Sequence, residues 1–390
     1  MNAIVNKILL RIKQLLFVAK LLCGWVLSFF VKDKDLWLIS ERGQEARDNA
    51  FFFFVWLKEN HPEINSKFII SNNSTDLYKL QKWSDDIIYY KSLYHWISLW
   101  KAKYLISTHI SGYTPDYRFF SRFDGKFIVF KKKKRVFLQH GVLSYVIESL
   151  FANKNHLDLF ICGSKIEFNV VKSVYGYPLG VVQYTGLCRF DNLHHIHTKK
   201  QILVMPTWRA YINLDNFVQS DYFCVYKRLL CSKRLSRMLE ELEYELIFYP
   251  HYEFQSKIEL FRTLPLSANV KIADMNTDVQ HLLKESEILV TDYSSVYFDM
   301  IYMGKPIIYY QFDFEKFSQG HYRNAQQTLY IDISKIGPVV TTHEKLLDEI
   351  GFALNNKEEL IKANKEYYNS IFELKDSKNN ERVFNAITKC

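Results

Sequence analysis

At 390 residues, with 48% hydrophobic and 24% charged side chains, the chain has globular composition and is long enough for two ordinary domains. Its net charge of +9 favours phosphorylated ligands, anionic lipid or other acidic partners. Zinc-finger spacing, an RNA-recognition signature and a basic recognition helix are all missing, which argues against nucleic acid. The six cysteines, Cys23, Cys162, Cys188, Cys224, Cys231 and Cys390, are scattered without a C-x-x-C pair. That excludes a disulfide framework and a zinc site, and it suits a reducing, cytoplasmic compartment.

Residues 3–31 are rich in Ile, Leu, Val and Phe but are interrupted by Lys7, Arg11, Lys13 and Lys20. The longest uncharged run, 21–31, falls short of the roughly 20 residues that a membrane span needs. No small-residue cleavage site follows it. Residues 1–34 are therefore expected to form a basic amphipathic segment lying in a membrane interface, the alternative being a helix packed on the protein's own surface. A second cationic run, Lys131-Lys132-Lys133-Lys134-Arg135, fits either a solvated loop before a strand or a further patch for anions.

From residue 35 onward, apolar strands alternate with helices. Strands are expected over 36–40, 67–71, 86–90, 104–107, 136–139, 158–162 and 181–185, with helices such as 49–60 and 93–101 between them. A polar connector, 191–200, interrupts the alternation. It resumes with strands over 201–205, 245–249, 270–273, 288–290 and 306–310 and a helix near 226–243. The tail from 342 is helical and charged. This is the pattern of an α/β chain with two doubly wound Rossmann-type domains. The expected divisions are the membrane segment at 1–34, an N-terminal domain at 35–192, a C-terminal domain at 193–345 and a helical tail at 346–390 that packs back on the domains. Ligands of such sheets sit beyond the carboxyl ends of the strands, so two such domains facing each other place the site in a central cleft.

The chemistry-bearing residues cluster at expected strand ends. Gln139-His140-Gly141 continues from one strand, with an imidazole suited to base chemistry and a glycine that lets backbone approach a ligand. Pro250-His251 repeats that placement in the second domain, and His109 is a further strand-end histidine. Each has the alternative of merely tying down a loop. Thr291-Asp292-Tyr293-Ser294-Ser295 marks an abrupt strand-to-helix turn crowded with hydroxyls, which suits either a phosphate or an ordinary helix cap. Asp299, one turn on, fits a polyol hydroxyl or a helix-holding role. Arg209, in Pro206-Thr207-Trp208-Arg209, offers a planar fork to phosphate oxygens or to a carboxylate. Arg189 is a second such candidate, with Asp191 as its alternative partner. Arg47 stands at the start of a helix that Asp48 or Asn49 caps. His194, His195 and His197 lie in the polar connector without metal-ligand spacing, so no metal site is expected.

In this order, the segments Glu45-Ala46-Arg47-Asp48-Asn49-Ala50, Leu138-Gln139-His140-Gly141-Val142 and Thr185-Gly186-Leu187-Cys188-Arg189-Phe190-Asp191 resemble the CDP-glycerol glycerophosphotransferase family of teichoic-acid synthesis. So do Pro206-Thr207-Trp208-Arg209, Pro250-His251, Thr291-Asp292-Tyr293-Ser294-Ser295 with Phe298-Asp299, Lys305-Pro306-Ile307-Ile308-Tyr309-Tyr310 with Asp313, and Gly337-Pro338-Val339-Val340. The resemblance covers roughly 35–350. It implies a GT-B-like architecture and a peripheral enzyme on the cytoplasmic face of the membrane. The implied reaction moves a polyol phosphate, glycerol phosphate first, from a CDP-activated donor to a hydroxyl of a lipid-linked acceptor, releasing CMP, in teichoic-acid or capsule synthesis. It implies His140 as base and His251 as the second essential histidine. Arg209, Thr207, Thr291, Asp292, Ser294, Ser295 and Asp299 fall on the donor and phosphate side, with Gly141, Arg47 and Arg189 as substrate contacts. No cofactor is implied beyond a loosely bound Mg2+ on the diphosphate. Two departures bear on the acceptor and the polyol: Val142 to Glu148 where many members are Lys-rich, and His321-Tyr322-Arg323-Asn324 where a Tyr-Arg-Gly-type segment is common. The competing readings are a nucleotide-sugar glycosyltransferase on the same fold and a non-catalytic, membrane-bound polyanion-binding module.

Overall fold

The structure is a computed structural model and describes residues 2–121, 130, 132–194, 197–320 and 331–390. Lys131, His195 and His321 to Asn324 lie outside them. The chain divides into two compact units. The first comprises Met1–His140, Ile147–Asp191 and Asp376–Cys390; the second comprises Gly141–Val146 and Asn192–Lys375.

The first unit is built on a seven-stranded, wholly parallel sheet in the order β3-β2-β1-β4-β5-β6-β7. Its strands are β1 Trp37–Ser40, β2 Ser66–Ile70, β3 Ile87–Tyr89, β4 Tyr104–Ser107, β5 Lys134–Phe137, β6 Leu159–Cys162 and β7 Val182–Tyr184. The apolar runs that announce them, such as Leu105-Ile106 and Phe160-Ile161, are fully buried, as strands covered on both faces require. The second unit repeats the plan in six strands, β10-β9-β8-β11-β12-β13. These are β8 Lys199–Val204, β9 Glu245–Phe248, β10 Val270–Ile272, β11 Ser286–Thr291, β12 Ile307–Tyr310 and β13 Val339–Val340. In both orders the direction of winding reverses beside the unit's first strand, between β1 and β4 and between β8 and β11. That switch point is where open α/β sheets leave a crevice.

Helix α1, Asn2–Ser28, packs on α3, Leu93–Lys101, through its C-terminal half. Phe17, Leu21, Gly24 and Ser28 form the buried stripe. A Cβ on Gly24 would sit 2.8 Å from the Trp96 carbonyl oxygen, so the close approach demands glycine. The Trp100 indole donates to the Leu21 carbonyl at 2.8 Å. The N-terminal half departs from a two-faced amphipathic helix: from Val5 to Leu16 nearly every side chain is exposed, apolar and cationic alike.

Three expectations are corrected. The lysine run is only partly solvated. Lys133 is buried, and its ammonium donates to the carbonyls of Trp100 and Ala102, closing the C-terminal end of α3; Arg135 is buried in β5. The helix near 226–243 is two helices, Asp221–Leu230 and Lys233–Glu241, because Ser232 caps the second through the Leu235 N–H. The helix after β11 begins at Tyr297, beyond Ser294 and Ser295, and has no side-chain cap.

The C-terminal helix Asn379–Thr388 belongs to the first unit. Phe384 stacks on His61 at 3.9 Å, and the Asp191 carboxylate accepts the backbone N–H groups of Asn379 and Asn380.

Candidate active site

In the first unit the site gathers at the carboxyl ends of β1, β4 and β5, whose last residues Ser40, Ser107 and Phe137 lie side by side in register. Glu41 follows β1 and is buried. Its carboxylate accepts N–H bonds from Arg47 (3.2 Å to each oxygen), Asp48 (2.7 Å) and Phe51 (3.3 Å), which folds the loop leading into helix α2, Asn49–Asn60. Burial, and then the nearby Asp48 charge, push the Glu41 carboxyl up to about 8. Gly112 permits this closeness: a Cβ there would lie 2.0 Å from the Glu41 carbonyl oxygen.

Asp48 caps α2 through the Asn49 N–H and accepts Arg189 Nη1 at 3.0 Å. Arg189 therefore pairs with Asp48, and Asp191 binds the C-terminal helix instead. The same Arg189 nitrogen donates to the His140 carbonyl at 2.9 Å. Asn49 Nδ2 donates to the Gln139 carbonyl at 2.8 Å, and its Oδ1 accepts the Arg189 backbone N–H at 3.0 Å. Arg47 turns to Asp76 at 2.7 Å.

Gln139 adopts φ +63°, a left-handed conformation unusual for a side-chain-bearing residue, and its amide is anchored on Glu167 at 2.8 Å. This strained link presents His140, which is solvent-exposed. Although its surface meets solvent, the dense protein around it disfavours the imidazolium. With the cations Arg189 and Arg42 adding to that effect, its pKa falls to about 4. The His109 ring stacks on it at 4.9 Å and is likewise held neutral by burial, His140 and Arg42.

In the second unit the loops after β9, β8, β11 and β12 lie in that spatial order. Arg209 occupies the centre and is buried. It pairs with Asp313 through Nε at 2.6 Å and Nη2 at 3.0 Å, and with Asp292 through Nη2 at 2.8 Å. Tyr222, Tyr293, Phe312 and Phe317 enclose it at 5.0–5.6 Å from ring centre to guanidinium. Burial opposes the charge, but Asp292 and Asp313 outweigh it and keep Arg209 protonated. The fork of Arg209, expected to face phosphate oxygens or a carboxylate, faces two carboxylates.

Asp292 Oδ1 also accepts the Thr207 and Tyr293 backbone N–H groups, tying the β8 loop to the β11 loop at the switch point. Thr291 donates its hydroxyl to the Met205 carbonyl at 2.7 Å, and Asp299 is buried on the helix Tyr297–Met303. What this frame leaves near the surface is Ser295, exposed, with Ser294 and His251 half-buried. The Thr207 hydroxyl is buried without a hydrogen-bond partner. His251 Nδ1 accepts the Glu253 N–H at 3.3 Å, which puts the ring proton of the neutral form on Nε2; the ring lies parallel to Trp208 at 6.2 Å. His194 contacts the Tyr302 hydroxyl at 2.8 Å. No cluster of three or more metal-ligating side chains exists among the described residues. The residue that sequence reasoning passed over is Glu41. A glutamate just after a strand looks like a solvated turn, and no local pattern betrays its burial.

Residues 22–389 match the sequence profile of the family described as CDP-glycerol:poly(glycerophosphate) glycerophosphotransferase. The chain is 30% identical over 377 residues to the minor teichoic acid biosynthesis protein GgaB of Bacillus subtilis strain 168, spanning 91% of this chain and 40% of that protein. It is 33% identical over 163 residues to the teichoic acid poly(glycerol phosphate) polymerase of Bacillus spizizenii strain W23, spanning 41% of this chain and 38% of that one. The matched stretches therefore span well under half of each of these relatives. Among solved structures, the wall teichoic acid polymerase TagF superposes with a TM-score of 0.68 at 16% identity, over 100% of this chain and 98% of that one. That likeness carries the fold, an α/β architecture of two parallel sheets resembling GT-B domains. By the match over nearly its whole length, the chain belongs to the CDP-glycerol:poly(glycerophosphate) glycerophosphotransferase family.

Proposed function

We propose that this chain transfers a polyol phosphate, glycerol phosphate first, from a CDP-activated donor to a hydroxyl of a membrane-linked acceptor and releases CMP. The observation that carries the reading is His140: an exposed imidazole at a strand end, unprotonated at neutral pH, on a chain of this family. In the proposed step the acceptor oxygen attacks the phosphorus that bears the polyol. The new O–P bond forms as the bond to the CMP oxygen breaks, CMP leaves with the electron pair, and the acceptor proton passes to His140.

The first unit, with His140, serves the acceptor, and the second serves the donor. There the exposed and half-buried hydroxyls of Ser295 and Ser294, the Nε2–H of His251 and the Thr207 hydroxyl are the donor-side contacts. Arg209, Asp292, Thr291 and Asp299 form the frame that aims them. Phosphoryl transfer asks chiefly for such positioning and charge stabilisation.

The protein works as a peripheral enzyme on the cytoplasmic face of the membrane. Helix α1 carries Lys7, Arg11, Lys13 and Lys20, no acid, and exposed apolar side chains that include Leu15 (70%) and Leu16 (55%). Such a surface gains by meeting anionic lipid. No helix of the described residues is long and apolar enough to cross a bilayer.

The reading is tested by offering purified protein CDP-glycerol, CDP-ribitol and a panel of nucleotide sugars with a lipid-linked acceptor. The expected product is CMP, and the preferred CDP donor names the polyol. Release of a nucleoside diphosphate from a nucleotide sugar, with both CDP donors inert, would replace this reading with glycosyl transfer.

A further inference from the structure

We propose that Glu41 is a positioning residue for His140, acting through the Asp48–Arg189 pair. The inference rests on the reading of His140 as the base and extends it to a residue outside the histidine's own strand.

Three observations converge. First, Glu41 is buried at the switch point between β1 and β4, and its two oxygens gather the backbone N–H groups of Arg47, Asp48 and Phe51. A buried carboxylate is costly unless it organises donors around it, and here the organised element is the loop entering α2. Second, that loop sets Asp48 and Asn49. Asp48 holds the Arg189 guanidinium, and Asn49 accepts the Arg189 backbone N–H. Third, both of these groups reach the peptide units around the base. Arg189 donates to the His140 carbonyl at 2.9 Å, and Asn49 donates to the Gln139 carbonyl at 2.8 Å. Gln139 is in the left-handed region, a conformation that persists only when its surroundings hold it. Its side chain is held by Glu167, and its carbonyl by the element that Glu41 folds.

Without the Glu41 carboxylate the loop loses its anchor, Asp48 withdraws from Arg189, and the Gln139–His140 link is free to relax. Among the described residues of its unit, Arg189, Arg42 and the stacked His109 bear on His140, with Asp48 behind Arg189 and the Thr108 backbone as hydrogen-bond partner. Departure of Arg189 removes a cation that disfavours the imidazolium, so the movement is readable in the titration of His140 itself.

The experiment is NMR titration of 13C-histidine-labelled protein, with the His140 signal assigned by its loss in His140→Asn, alongside CMP-release kinetics. In Glu41→Gln, one oxygen remains for the Asp48 N–H while an amide NH2 opposes the Arg47 N–H. His140 should then titrate about one unit higher than in the wild type. Turnover should fall roughly ten- to a hundredfold with the donor KM unchanged. Glu41→Asp keeps the carboxyl group but shortens the reach, and it should shift His140 in the same direction by less; it also serves if the glutamine variant does not fold. An unaltered His140 titration in the folded variants overturns the proposal. A shifted titration in a protein that transfers no polyol phosphate even as wild type upholds the linkage and overturns the reading of His140 as the base.

Discussion

The two units share a strand order and invert their electrostatics at the switch point. In the first, a buried acid sits at the centre. Glu41 collects backbone N–H groups, the cations Arg189 and Arg42 stand outside it, and an imidazole reaches solvent. In the second, a buried cation sits at the centre. Arg209 is closed in by Asp292, Asp313 and four aromatic rings, while the Ser294 and Ser295 hydroxyls and the His251 ring lie nearer the surface. The same crevice thus yields a unit that offers a titratable base and a unit that offers a rigid frame for donors of hydrogen bonds. Substitutions in the first should be felt in rate and pH dependence, and those at the centre of the second in stability.

The sharpest break of that contrast is His140→Ala. It should lower CMP release by roughly 10²–10⁴-fold while leaving the urea midpoint nearly unchanged, because an exposed ring is removed. Arg209→Met should do the reverse in kind. It leaves Asp292 and Asp313 as unpaired buried carboxylates, and unfolding free energy should fall by about 3–5 kcal/mol in denaturant titration.

Glu41 sharpens the contrast through pH. Its folded pKa, about 8, lies above the ordinary 4.5, so the folded state holds a proton that the unfolded chain has released. The stability it contributes is full below the unfolded value and is lost as pH rises towards 8. Urea midpoints should decline over that window in the wild type and decline less in Glu41→Gln. The smallest effect concerns the outer surface of α1. Leu15→Asp should weaken co-sedimentation with anionic vesicles about tenfold and leave CMP release from a soluble acceptor analogue intact.

The sequence discloses what is local. The strand at Tyr104–Ser107 and the helices Asn49–Asn60 and Leu93–Lys101 fall where the apolar runs, and for the first helix the cap Asp48, place them. Strand β13 escapes because two residues carry no periodicity. The break at Ser232 escapes because a serine cap inside a long amphipathic pattern looks like an ordinary helical position. The strand-end positions of His140, His251 and Ser294-Ser295 are legible for the same reason that the strands are.

Burial of the charged residues is not legible, because it is decided by partners far along the chain. Arg209 meets Asp313 across 104 positions, and Arg189 meets Asp48 across 141. The fork of an arginine looks identical in sequence whether it awaits a phosphate or already holds a carboxylate. Lys133 teaches the same point. In a run of cations it looks solvated, yet the open carbonyls at the end of α3 draw it inward.

The central claim is that His140 takes the acceptor proton while the second unit holds the donor. The most direct measurement is acceptor-dependent CMP release from CDP-glycerol or CDP-ribitol by wild type and His140→Ala, with donor affinity measured on both. The account predicts that release collapses in the variant while donor affinity is retained. Release by His140→Ala at the wild-type rate would contradict it.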